Sequence, residues 1–205
     1  MSTGEGAPGA MLVVISGPSG VGKDAILDVL QRLPGHERHH YVVTCTTRAR
    51  RSGEIDAQSY HFIAPEQFQR LRAAGELLEA NEVHGNWYGT PRQQVVDALA
   101  AGRHAILKID VQGADVVRAR VPDALLIFVA PPSVDALLER LTSRATETAA
   151  ELALRQRNAA AEMARQKDYD YVVVNETGEL TRTAERIGEI IALEGARHAE
   201  RRVRI

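Results

Sequence analysis

The chain of 205 residues carries 25 Lys and Arg against 27 Asp and Glu, a formal charge of −2, with 44% hydrophobic and 25% charged residues. This balance suits one packed domain and excludes a whole-molecule field aimed at nucleic acid or an anionic membrane, so any anion site must be local. The single cysteine, Cys45, rules out an internal disulfide and a two-thiol metal site and suits a reducing cytoplasm.

Residues Met1 to Ala10 are rich in Gly, Ser and Ala, lack the basic start and apolar run of a signal peptide, and read as a loose, flexible tail. The longest apolar runs, such as Ala124 to Ala130, are strand-sized and far short of the ~20 residues of a membrane span. Met11 to Ser16 reads as a strand. Ile26, Leu27, Leu30 and Leu33 recur at helical spacing before Pro34-Gly35 stops the run, which predicts strand, loop, helix.

The loop is Gly17-Pro18-Ser19-Gly20-Val21-Gly22-Lys23, a phosphate-loop pattern in its proper setting. Glycines let backbone N–H groups approach phosphates at a helix N-terminus, and the lysine adds a mobile charge. The pattern ordinarily continues with Ser or Thr, whose hydroxyl binds Mg²⁺; here Asp24 follows. A carboxylate is an oxygen ligand that Mg²⁺ accepts and that a helix N-terminus favours, so Asp24 reads as an altered metal site. His36, His39 and His40 read as a polar loop.

From Val42 to about Thr90 the texture changes to short β-type pieces at Val42-Val43, Tyr60-Phe62 and Leu77-Leu78 and one brief helix near Gln67 to Ala74, read as an inserted substrate-binding subdomain. Beyond it, His104 to Ile109 and Leu125 to Val129 are buried-type strands flanking a helix over Gln112 to Arg120, closed by Pro122. Ser133 caps a helix bearing Val134, Leu137, Leu138 and Leu141, and Glu147 to Lys167 is a long polar-faced helical stretch. Tyr171 to Val174 reads as another buried strand, and Glu179 to about Arg201 as a closing amphipathic helix. The alternation predicts an α/β fold, a parallel sheet flanked by helices.

The run Thr44-Cys45-Thr46-Thr47-Arg48-Ala49-Arg50-Arg51-Ser52-Gly53-Glu54, then Tyr60-His61-Phe62, Leu78-Glu79, and His84-Gly85-Asn86-Trp87-Tyr88-Gly89-Thr90 strongly resembles guanylate kinases. The resemblance continues through Ile109-Asp110-Val111-Gln112-Gly113, Phe128 to Ser133, Arg140, Arg144, Arg155 and Asp170 to Asn175. It implies a P-loop NTPase-type core at about 11–41, 91–132 and 168–205, a small mixed α/β GMP-binding insertion at about 42–90 and a helical lid at about 133–167. It also implies transfer of the γ-phosphate of ATP to GMP, and to dGMP, with Mg²⁺ as cofactor and ATP and GMP as the small-molecule partners. Homo-oligomerisation stays open.

Carried over by position, the resemblance implies that Arg48, Arg51, Tyr60 and Tyr88 hold the GMP phosphate, because forked guanidiniums and phenol donors suit a dianion. Glu79 would read the base, with Thr44, Thr90 and Asp110 completing its pocket. ATP would lie on Gly17, Pro18, Ser19, Gly20, Val21, Gly22, Lys23, Asp24 and Asn175, and Lys23, Arg48, Arg140, Arg144 and Arg155 would neutralise charge during transfer. Two positions depart from the family besides Asp24: Ala145 replaces a glycine after the second lid arginine, and Lys108 stands where an acid is usual two residues before Asp110. Asp24 and Lys108 together conserve the local charge and read as one coupled exchange, in which Asp24 takes the metal-facing role and Lys108 balances it or contacts phosphate. A related ribose 1,5-bisphosphate kinase also has Asp after the P-loop lysine, but it reads no base. A guanylate-kinase-like scaffold module would be expected to lack the intact loop.

Overall fold

A computed structural model describes residues 5–83, 85–142 and 159–205, with the backbone alone for residues 140–142. Its centre is strand β1 (Leu12–Ser16), all five residues of which are buried. Alternate side chains of β1 enter opposite faces: Val13 and Ile15 join one apolar cluster, Leu12 and Val14 the other. A strand covered on both sides has no polar face to show, which is why it reads as one unbroken apolar run.

Strands β2 (His39–Tyr41), β7 (His104–Lys108), β8 (Leu125–Ala130) and β9 (Tyr171–Val174) complete a five-stranded sheet in the order β2-β7-β1-β8-β9, with every pairing parallel. Helices α1 (Lys23–Leu30) and α7 (Leu180–Arg197) pack on the Val13 face through Ile26, Leu30, Ile187 and Ile191. Helices α3 (Arg92–Ala100) and α4 (Val111–Arg120) cover the Leu12 face through Val95, Leu99 and Val117. Register aligns Ile15 of β1 with Lys108 of β7 and Ser16 with Phe128 of β8, so the carboxyl ends of the three central strands open at one edge. In open parallel sheets ligands bind outside that edge.

The insertion builds its own sheet, β4-β3-β6-β5, from β3 (Cys45–Thr46), β4 (His61–Phe62), β5 (Leu77–Val83) and β6 (Asn86–Pro91). Helix α2 (Pro65–Ala73) seals it with Phe68, which is fully buried among Cys45, Leu77 and Trp87. Gly89 is required here because a Cβ would lie 2.9 Å from both the Phe68 ring and Leu77. Helix α5 (Val134–Thr142) starts under the expected cap, with the Ala136 N–H donating to Ser133 Oγ at 3.1 Å. Residues 159–164 form α6 and run into a 3₁₀ turn over Arg165–Asp168. The expected helix from Glu147 to Lys167 otherwise lies outside the described residues.

Four expectations need correction. Val42 and Val43 lie between strands, because the chain leaves the large sheet at Tyr41 and enters the small one at Cys45. His39 and His40 belong to β2, where the His39 ring packs against Tyr41 and His104 instead of facing solvent in a loop. β9 is an edge strand, with Val172 and Val174 exposed and Val173 buried. Residues 5–10 are anchored: the N–H groups of Gly6, Ala7 and Gly9 donate to Val203, Leu99 and Arg201 carbonyls at 2.9–3.0 Å, and Ala10 is buried.

Truncating a buried aromatic leaves a cavity and loses roughly 3–5 kcal/mol. Phe68→Ala should therefore lower the unfolding free energy measured by denaturant titration by about that amount; a loss below about 1 kcal/mol would show that this cluster does not hold the insertion together.

Candidate active site

The loop after β1 turns because glycine permits what other residues do not. Gly17 adopts φ 138° and approaches β8 so closely that a Cβ would lie 2.2 Å from the Val129 carbonyl. Gly22 caps α1 at φ 101°. Lys23, the first residue of α1, folds back so that Nζ donates to the carbonyls of Gly17 at 2.6 Å and Pro18 at 3.1 Å. Burial pulls its ammonium below the ordinary lysine value, against the opposing pull of Glu162, Asp24 and Asp110. The Ser19 N–H donates to a carboxylate oxygen of Glu162 from α6 at 3.2 Å, so the loop already holds an anion.

Asn175 braces this loop from behind. Its Nδ2 donates to the Val21 carbonyl at 2.8 Å, its Oδ1 accepts from Thr183 Oγ1, and its backbone N–H donates to Ala130. The side chain is buried and shapes the loop.

Asp24 projects from the first turn of α1 and is 77% exposed, and its carboxylate pairs with the ammonium of Lys108 from the end of β7. Lys108 is only 17% exposed, and its Nζ lies 4.6 Å from the centroid of the Tyr60 ring. Burial alone would lower the Lys108 ammonium; Tyr60 and Asp24 outweigh it and hold the group above the ordinary lysine value.

Across the cleft, Tyr60 meets Tyr88 edge-on with ring centroids 6.0 Å apart, and the Arg48 guanidinium lies 5.4 Å from the Tyr60 centroid. Both terminal nitrogens of Arg48 donate to Glu54, at 2.7 and 3.0 Å, and the Arg51 backbone N–H donates to the same carboxylate at 2.6 Å. The forked bond to Arg48 holds the Glu54 carboxyl at about 2 and raises the Arg48 guanidinium. The Arg51 side chain is exposed at the rim.

Deeper in, Glu79 on β5 is 2% exposed. Its Oε1 accepts from Thr90 Oγ1 at 2.6 Å and its Oε2 from Asn81 Nδ2 at 2.7 Å. Pairing of Glu79 with Thr90 in the β5–β6 hairpin sets the first contact, and the two-residue repeat of a strand puts Asn81 on the same face as Glu79. Helix α4 closes the pocket: a Cβ on Gly113 would lie 3.0 Å from Glu79 Oε2, so glycine lets the helix meet the carboxylate. Asp110 caps α4 by accepting from the N–H groups of Gln112 and Gly113 at 2.8 and 2.9 Å, and Thr44 is buried nearby in the chain that links the two sheets. Burial lifts the Glu79 carboxyl to about 7; Thr90 and Asn81 pull it down and Asp110 pushes it up.

The fold thus gathers Lys23, Asp24, Arg48, Tyr60, Tyr88, Glu79, Thr90 and Asp110 about one cleft, while Thr44 is placed only as a buried residue of the linking chain. Arg140 lies in α5 with its side chain undescribed, and Arg144 and Arg155 lie outside the described residues. Glu54, Asn81, Gly113 and Glu162 carry contacts that sequence reading did not assign. Only Asn81 had a local signal, the strand repeat from Glu79. Chemically the cleft offers a carboxylate pocket for hydrogen-bond donors, a guanidinium and phenol cradle for an anion, and a second anion loop facing it.

The guanylate kinase family model matches residues 9–193. A guanylate kinase of Symbiobacterium thermophilum is 44% identical over 93% of this chain and 88% of its own length. A chloroplastic/mitochondrial guanylate kinase 2 of rice, Oryza sativa, is 42% identical over 97% of the chain and 69% of its own. Among solved structures, guanylate kinase from Anaplasma phagocytophilum superposes with a TM-score of 0.76 at 31% identity, covering 96% of this chain and 91% of that one.

A carboxyl raised from about 4.5 when unfolded to about 7 when folded binds a proton more tightly in the folded state. Its contribution to stability is full below about 4.5 and is lost as pH rises through 7. Thermal denaturation from pH 4.5 to 8 should show Glu79→Gln gaining stability relative to the parent chain as pH rises; parallel curves would mean that Glu79 is not raised.

Proposed function

Because the chain belongs to the guanylate kinase family and transfers the γ-phosphate of ATP to GMP, giving ADP and GDP, we propose that the pocket around Glu79 reads the guanine base and that the cradle beside it grips the acceptor phosphate. The observation that carries this reading is the buried Glu79 carboxylate, fixed by Thr90 and Asn81 within the same cleft as Arg48, Tyr60 and Tyr88. An ionised carboxylate only accepts hydrogen bonds, so its oxygens suit the N1–H and N2–H₂ donors of guanine alongside Thr90 and Asn81. Adenine presents an acceptor at N1 and would leave the buried carboxylate unpaired, a mismatch that such sites reject strongly. Thr44 and Asp110 complete the pocket. None of these contacts needs the ribose 2′-oxygen, so dGMP serves as acceptor too.

Arg48 and Arg51 grip the acceptor phosphate with Tyr60 and Tyr88, the phosphate taking over the fork that Arg48 now gives to Glu54. The ATP phosphates take the loop from Gly17 to Lys23, where the Ser19 N–H now holds Glu162, while Asn175 keeps the loop in shape. Arg140, Arg144 and Arg155 would add positive charge toward them. The second pKa of a phosphate monoester is about 6, so the attacking oxygen is already largely ionised and needs no general base. Catalysis is then alignment of the two phosphates and neutralisation of shifting charge by Lys23 and the arginines.

The donor set suits Mg²⁺: an exposed Asp24 carboxylate stands one residue after the loop lysine, and Mg²⁺ in such sites takes one or two carboxylates with phosphate oxygens and waters for the rest. When bound, the ion would screen the negative charge of the ATP phosphates. Among the described residues no helix is long and apolar enough to cross a membrane, and a cytoplasmic setting fits the lone buried thiol, Cys45.

Glu79→Gln puts an amide donor against guanine donors. It should cut kcat/KM for GMP by about a hundredfold and erase most of the preference for GMP over AMP; an unchanged preference would sink the assignment. With the free carboxyl at about 7 and the bound one ionised, GMP binding at pH 7 should release about half a proton. Calorimetry in buffers of different ionisation enthalpy reads this directly, and the release should vanish in Glu79→Gln.

A further inference from the structure

Lys108 stands at the carboxyl end of β7, in register with Ile15 and so beside the start of the phosphate loop. Its ammonium has two partners that belong to different halves of the cleft. Asp24, on the donor-nucleotide side, directly follows the loop lysine. The Tyr60 ring, 4.6 Å away, is also flanked by Arg48 and by Tyr88, which places Lys108 against the acceptor cradle. An ammonium has three N–H donors; the pair with Asp24 takes one and a hydrogen bond to Tyr60 a second, so one remains for an anion seated at Tyr60.

Resting on the acceptor-site reading above, we propose that Lys108 is an additional GMP-phosphate ligand that changes partner, held by the Asp24 carboxylate in the free enzyme and turning to the acceptor phosphate when GMP binds. A cation between two phosphates that must approach each other lowers their repulsion where it is greatest. The exchange also frees the exposed Asp24 oxygens for the divalent cation that accompanies ATP, so one ion pair is replaced by two. The charge reversal at position 108 and the carboxylate at position 24 are thereby parts of one device: without Asp24 the ammonium would be largely buried and unpaired in the free enzyme, and without Lys108 the carboxylate would face incoming phosphate unneutralised.

The test is calorimetric titration with GMP and with guanosine, without ATP or metal, of the full chain and of Lys108→Met, Lys108→Arg, Asp24→Asn and Arg48→Met. Loss of a charge-assisted hydrogen bond predicts that Lys108→Met weakens GMP about tenfold or more and leaves guanosine unchanged. Lys108→Arg keeps GMP within about threefold, and Asp24→Asn binds GMP as tightly as the parent or more tightly, since Lys108 no longer has to leave a partner. Equal GMP affinity in Lys108→Met, a parallel loss of guanosine, or a tenfold loss of GMP in Asp24→Asn would each overturn the proposal. Arg48→Met separates this from the underlying reading. If Arg48→Met weakens GMP selectively and Lys108→Met does not, Lys108 alone is wrongly assigned. If Arg48→Met does not distinguish GMP from guanosine, the acceptor cradle is wrong and the Lys108 proposal falls with it.

Discussion

Everything in the cleft is arranged around a carboxylate that has been taken out of water. Glu79 is 2% exposed, and burying an acid without a positive partner is costly enough that the group rises toward neutrality. The surroundings limit that cost. Thr90 arrives by strand pairing, Asn81 by strand alternation, and α4 closes over both because Gly113 has no side chain. The same contact joins the inserted sheet to the core, since Glu79 belongs to one and Gly113 to the other. On the proposed reading, base recognition and attachment of the insertion share one set of atoms.

The cationic groups described across the cleft show a second regularity. Arg48 is held by Glu54, Lys108 by Asp24, and the loop N–H of Ser19 by Glu162. These three groups thus each face a carboxylate, whereas Lys23 rests on the carbonyls of Gly17 and Pro18. On the proposed reading, ligand binding is an exchange of anions, in which a dianion with more oxygens displaces a carboxylate. The pairs offset opposite charges within the cleft and fix the side chains that make them. The exchange also makes net affinity a difference between two ion pairs, a sensible arrangement for an enzyme that must release its products.

Much of the fold was legible because it is local. Leu12 to Ile15, Ala105 to Leu107 and Leu125 to Ala130 are continuous apolar runs, as strands covered on both faces require. The Ser133 cap and the apolar stripe of α7 were equally plain. The misreadings have a common cause. Val172 and Val174 look buried by composition yet lie on an edge strand, and His39 looks polar yet packs on His104 and Tyr41. In each case the neighbour that decides exposure comes from a distant part of the chain. The segment from Glu5 to Ala10 appears featureless because its partners, Leu99, Arg201 and Val203, are far along the sequence.

By itself the sequence determined the phosphate loop, the order of strands and helices, and the residues that resemble a guanine and phosphate site, since these depend on spacing along the chain and on residue chemistry. It also exposed the paired departures at Asp24 and Lys108, because opposite changes of charge are visible without coordinates. Only the tertiary structure decided that those two side chains meet across 84 residues of chain, that Glu162 reaches Ser19 across 143, and that Tyr60 lies against the same ammonium. Such contacts are set by which strand ends the parallel register brings to one edge, and that register is a property of the assembled sheet.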